Sequence, residues 1–504
     1  MILLLSACGP RPVDLPCTPD QAAPYADGIP YLGVHADAGN SDRVRCESAT
    51  AFAQEWTALE GLGLIQPNTF SPDGSVTYAT TTNPEPEGCR LHAVGVETGE
   101  VRWCKSLAPA VAQGSVEVDS GGLLYVAVDD AIVSFTADGE ERWRTTIGED
   151  DGTFGLHFTP TGEIATVTAN GVVALLDRAD GSLLSSMSIP QVYGFVAPER
   201  LTELDLTAML PDEVQEDIVE VVGDTASGKL LAAFLGAGQF CDNTLGVSPD
   251  GDLYVIGGGP DTEHGALVQI RVVDGALEPG WAAPTWRGSA TSPSISSDGR
   301  WVVIGDGVSG DTFTAPEDMD GRVKVADIAA CDNNTDADED PDRCAFSHET
   351  KLERWPMIGA PAIDGDGTVI FWELGLDWSA GAGDRDLAAL GPDGIVWEAA
   401  LPDGLEWTSV ITVTDNTLIG TAARVTASNE ALFTLVFPEQ TEDVLVVLDR
   451  QGTLLFEAPV PDDAAATVTI GPDGSLYAGV FGLLSIMSVD DRPDLGLVRF
   501  RPVR

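Results

Sequence analysis

The sequence predicts an all-β chain folded as a single β-propeller of about eight four-stranded blades, on three observations. The first is a phrase that occurs eight times, a tight turn with glycine or asparagine followed by an apolar strand. It reads Asp73-Gly74-Ser75-Val76, Gly122-Leu123-Leu124-Tyr125, Gly162-Glu163-Ile164, Asp250-Gly251-Asp252-Leu253-Tyr254, Asp298-Gly299-Arg300-Trp301-Val302, Asp366-Gly367-Thr368-Val369, Asn416-Thr417-Leu418-Ile419 and Asp473-Gly474-Ser475-Leu476-Tyr477. The second is its spacing: 48 residues from Gly74 to Gly122, 40 to Gly162, 48 from Gly251 to Gly299 and 49 from Gly367 to Asn416. The third is a second hairpin downstream of the phrase, whose far strand often carries an aromatic residue.

Four units show the second hairpin plainly, in chain order. Leu91-His92-Ala93-Val94 passes through Glu97-Thr98-Gly99 to Trp103, and Ile132-Val133-Ser134-Phe135 through Ala137-Asp138-Gly139 to Trp143. Leu387–Leu390 leads by Pro392-Asp393-Gly394 to Trp397, and Leu445–Leu448 by Arg450-Gln451-Gly452 to Phe456. Asp-Gly and Thr-Gly supply the positive φ that such turns need. The aliphatic runs between them are buried strands, and the tryptophans are expected to pack between blades.

Gly162 to Gly251 is 89 residues, close to two units. An acidic, helix-compatible stretch at Glu199–Glu216 places an insertion near 191–240. Ile218–Val222 and Leu230–Phe234 around Ser227-Gly228 leave nine blades open, and seven is the other alternative. After Tyr477 only Leu497-Val498-Arg499-Phe500 remains, with no outer strand to follow. Phe52-Ala53-Gln54-Glu55-Trp56 is expected to serve as that strand and close the ring, removing its largest free edge.

Upstream, Met1–Leu5 is apolar and Leu5-Ser6-Ala7-Cys8 follows. This resembles the lipobox of bacterial lipoproteins, which implies lipidation of Cys8 and a cell-envelope address, with the outer membrane as one location. The basic start of such a signal is expected to lie before the written Met1. The organisation is therefore a signal segment at 1–8, a tether at 9–50 and the propeller at 51–504, with insertions near 191–240 and 331–350. The tether follows from Pro10, Pro12, Pro16, Pro19, Pro24 and Pro30 among Asp and Ala. Export also makes disulfides available. Cys331 with Cys344, Cys17 with Cys46 and Cys89 with Cys104 are the pairs expected, leaving Cys241 odd. Spacing alone leaves other connectivities open.

The balance of 80 acidic against 26 basic residues gives a formal net charge of −54. Such a field repels nucleic acid and anionic membrane surfaces, so nucleic acid is excluded as a partner.

The hairpins quoted above resemble the repeat of PQQ-like propellers, in which a Leu-Tyr-Ala-Leu type strand precedes a Thr-Gly turn and a strand ending in Trp. The resemblance spans roughly residues 52–500. It implies the fold more than the activity. Quinoprotein dehydrogenases of this fold hold their cofactor with a disulfide between adjacent cysteines and a channel Ca²⁺ site. This chain has no adjacent cysteine pair, so PQQ is not expected.

The most suggestive polar string runs from Cys331 to Cys344. Asp332, Asn334, Asp336, Asp338, Asp340 and Asp342 place oxygen ligands at alternate positions, a pattern suited to Ca²⁺. Ala337 and Arg343 stand where an EF-hand needs Gly and Glu. Gly223–Lys229 has phosphate-loop spacing but Leu230 replaces the magnesium-binding hydroxyl, so it is taken as a hairpin turn. His35, His92, His157, His264 and His348 are scattered, and no nucleophile elbow occurs. The expectation is a non-catalytic extracytoplasmic lipoprotein, membrane-bound through its lipid, whose propeller scaffolds envelope proteins. A channel-site enzyme (a lactonase-type hydrolase or a quinone-dependent oxidoreductase) and a calcium-stabilised adhesion module are the alternatives.

Overall fold

The computed structural model describes residues 23–64, 66–81, 88–107, 112–148, 151–197, 240–241, 243–286, 288–289, 291–306, 321–332, 344–352, 359–373, 386–425, 441–461, 467–480 and 495–503. They form eight antiparallel sheets arranged as an eight-bladed β-propeller, which excludes the seven- and nine-bladed alternatives. Seven of the sheets have four strands; blade seven carries a fifth, because Leu405–Trp407 and Thr412–Val413 both pair with Thr417–Val425. The stretch around Ser227-Gly228 lies outside the described residues.

Every recurring phrase falls at the turn between the first and second strands of a blade. In blade one the inner strand Thr69–Phe70 passes through Asp73-Gly74 to Val76–Thr80. The Asp73 carboxylate accepts the Ser71 hydroxyl at 2.7 Å and the Ser75 N–H at 3.0 Å, holding the turn closed. The second hairpin of each blade ends on the outer strand, and in blades one and two a tryptophan of that strand docks on the next blade. Trp103 of blade one donates its indole N–H to Ala137 O of blade two at 3.0 Å. Trp143 of blade two lies so close to Gly181 of blade three that a Cβ there would meet its ring at 2.4 Å. That glycine also has φ of 75°, so both the turn and the ring demand it.

The ring closes as expected. Phe52–Ala58 pairs antiparallel with Leu497–Pro502, from Phe52 opposite Pro502 to Ala58 opposite Leu497, with a bulge between Gln54 and Trp56. It thereby becomes the outer strand of blade eight, and Trp56 repeats the docking on blade one by donating to Val96 O at 3.0 Å. The apolar core lies between neighbouring blades and includes the fully buried Tyr125, Phe158, Tyr477 and Phe500.

Residues 23–50 correct the tether expectation. Tyr31, Asn40 and Asp42 are fully buried, as are nearly all of Ile29, Leu32, Ala36 and Val44. The segment lies inside the ring rather than leading up to it.

Candidate functional site

The first strand of each blade has one edge paired and the other facing the axis. Residues 23–50 occupy that axis and cap those edges. Val247 N–H donates to Ala38 O at 2.7 Å, Ile295 to Gly39 at 2.7 Å, Ile363 to Ser41 at 3.0 Å and Val413 to Asp42 at 2.8 Å. All four donors are the last residues of the inner strands of blades four to seven. In blade three the equivalent N–H, that of Phe158, donates to the Tyr25 hydroxyl at 3.1 Å. Unpaired buried N–H groups are costly, and here one segment satisfies five of them in successive blades.

Two acid–imidazole pairs are enclosed by this packing. Glu117 of blade two contacts His157 Nδ1 of blade three at 2.6 Å and accepts the Tyr25 hydroxyl at 2.8 Å. The Asn40 amide nitrogen donates to Leu245 O and Pro293 O, at 3.0 and 3.1 Å. Its oxygen is therefore the acceptor for His157 Nε2 at 2.8 Å, which fixes a proton on that nitrogen. In the second pair His35 Nδ1 meets Asp42 at 2.8 Å, and Tyr31 donates to the other Asp42 oxygen at 3.1 Å. His35 Nε2 lies 3.1 Å from the Ser292 hydroxyl of blade five. Burial pushes the Glu117 and Asp42 carboxyls up, and the neighbouring histidine draws each partly back. Burial likewise raises the Tyr25 and Tyr31 hydroxyls well above their ordinary value. The fit is tight: a Cβ on Gly33 would stand 2.7 Å from Glu117 Oε1.

The predicted site residues lie elsewhere. Asp332 accepts the Trp281 indole N–H at 3.0 Å and the Gln269 amide at 3.1 Å. Asn334, Asp336, Asp338, Asp340 and Asp342 lie outside the described residues, as do Cys8 and Cys17. Disulfides join Cys89 to Cys104 and Cys331 to Cys344, and Cys46 is also disulfide-bonded. Cys241 is a buried thiol. Among the described residues no group of three or more His, Cys, Asp or Glu is placed to hold a metal ion, and no helix is long and apolar enough to cross a membrane.

Sequence reasoning missed the axial residues. The signal was a polar side chain inside an apolar inner strand, as in Val116-Glu117-Val118 and Leu156-His157-Phe158. Those residues pair across blades, 40 positions apart, so no local spacing marks them.

No protein-family model matches the chain, and no curated protein matches it in sequence. Solved structures do match, at the level of the fold. The quinohemoprotein alcohol dehydrogenase of Comamonas testosteroni is 13% identical with TM-score 0.53, covering 96% of this chain and 81% of the other. The Dos1 propeller is 10% identical with TM-score 0.52, covering 90% and 95%. BamB of Moraxella catarrhalis is 11% identical with TM-score 0.47, covering 90% and 100%. The shared feature is the β-propeller. In this chain Tyr31, His35 and Asp42 are buried and hydrogen-bonded to one another.

Proposed function

We propose that the chain is a lipid-anchored, extracytoplasmic scaffold whose propeller binds envelope proteins and carries out no chemistry of its own. The observation that carries this reading is the filled axis. The polar groups of the inner strands that a channel enzyme would turn toward substrate are hydrogen-bonded instead to residues 23–50. The disulfides suit an oxidising compartment.

The test begins with Cys8. Expressed behind a complete signal, the wild-type protein is expected in the membrane fraction, and Cys8→Ser in the soluble one. A soluble, unlipidated wild type by intact mass would remove the anchor. Native mass spectrometry with PQQ and Ca²⁺ separates the classes, since a stoichiometric quinone adduct would move the chain to the oxidoreductases.

A further inference from the structure

On the face that carries the first turns, a hollow of about 270 Å³ opens between the axial segment and blades three to five. Its apolar lining is formed by the exposed Ala23, Pro160 and Pro249, with Leu32, Val44, Phe158, Val247 and Ile295 nearly wholly buried behind them. Three charged side chains line it: Asp37, Arg43 and Arg45. Two of them are already engaged. Asp37 accepts the Ser41 N–H at 3.0 Å and its hydroxyl at 2.6 Å. Arg43 donates to Asp364 at 2.6 Å, to Asp415 at 2.5 Å and to Val44 O at 2.5 Å. Arg45 differs: it is exposed and has no ion pair among the described residues. In a chain with 80 acidic and 26 basic residues, a guanidinium with no ion pair among the described residues, lining a partly apolar hollow, is a specific arrangement.

A guanidinium fork matches a carboxylate through two parallel hydrogen bonds. An apolar hollow beside it takes a hydrophobic group attached to that carboxylate. We propose that this hollow captures the C-terminal carboxylate of a partner polypeptide, Arg45 gripping the carboxylate while the apolar lining receives the last side chain. This deepens the scaffold reading and rests on it. The exposed Asp250 and Asp298 follow the lining residues Pro249 and Ser297, so basic residues just upstream of the terminus are favoured. An acidic tail is rejected by the same carboxylates.

The test is calorimetric titration of the full-length protein with acetyl-Lys-Ala-Lys-Leu bearing a free carboxylate, with the same peptide as its amide, and with N-acetylleucine. The acid is expected to bind at least tenfold more tightly than the amide and than N-acetylleucine. Arg45→Glu is expected to lose at least tenfold for the acid with unchanged melting, and Arg45→Lys to fall between. Equal binding of acid and amide, full binding by Arg45→Glu, or no heat with either peptide would overturn the proposal. Equal affinity for N-acetylleucine would also overturn it, assigning the hollow to small carboxylates. Peptide failure alongside a membrane-bound, Cys8-dependent wild type would remove the hollow and leave the anchored scaffold standing.

Discussion

His92 lies in the third strand of blade one, only 3% exposed, with Nε2 3.0 Å from the Thr81 hydroxyl. Burial pushes its imidazole down from the ordinary 6.5 to about 4. Between those values the unfolded chain binds a proton that the folded chain refuses, so stability rises with pH and is lost on acidification. The interval corresponds to about 3 kcal/mol. His92→Gln is expected to flatten the pH dependence of melting from 6.5 down to 4; an unchanged acid limb would assign that loss to other groups. Glu117 works in the opposite sense. Burial raises its folded value, so its contribution is present in acid and lost as pH rises through that value. The sequence displayed His92 among five scattered histidines without ranking it, because burial in the folded blade decides its behaviour.

Among the elements, the closing strand concentrates the most consequence in the fewest residues. Trp56 donates to Val96 O, and its ring lies against Gly99, where a Cβ would come within 2.9 Å. Trp56→Ala removes that docking and opens a gap between blades eight and one, an expected loss of about 3 kcal/mol. Thermal melting checks it; an unchanged midpoint would mean that the strand pairing alone holds the ring. This strand and the eight first turns were legible because their signals are local: Asp-Gly at a turn, an aromatic residue on a strand. Residues 23–50 were not. Their prolines and aspartates carry the composition of an extended tether, while their partners are distributed over blades one to seven. Ile29, Tyr31, Leu32 and Val34 were the apolar cue, too short to show a period.

The molecule as a whole carries a formal charge of −54, and such a charge opposes its own compaction. Raising monovalent salt from 0.01 to 1 M shortens the screening length from about 30 Å to about 3 Å. Melting is therefore expected to rise by several degrees across that range, and the increment to shrink near pH 4, where carboxylates begin to neutralise. A midpoint indifferent to salt would show that the charges are already compensated within the fold.

The pairing of Phe52 with Pro502 also orders events in time. Phe52–Ala58 is made long before its partner Leu497–Pro502. The axial segment preceding it needs seats in blades one to seven before it can be enclosed. Such widely separated contacts are slow to form, and they cannot be completed until residues 497–502 have been made. The ring therefore stays open by construction during synthesis, and locks only when that strand arrives.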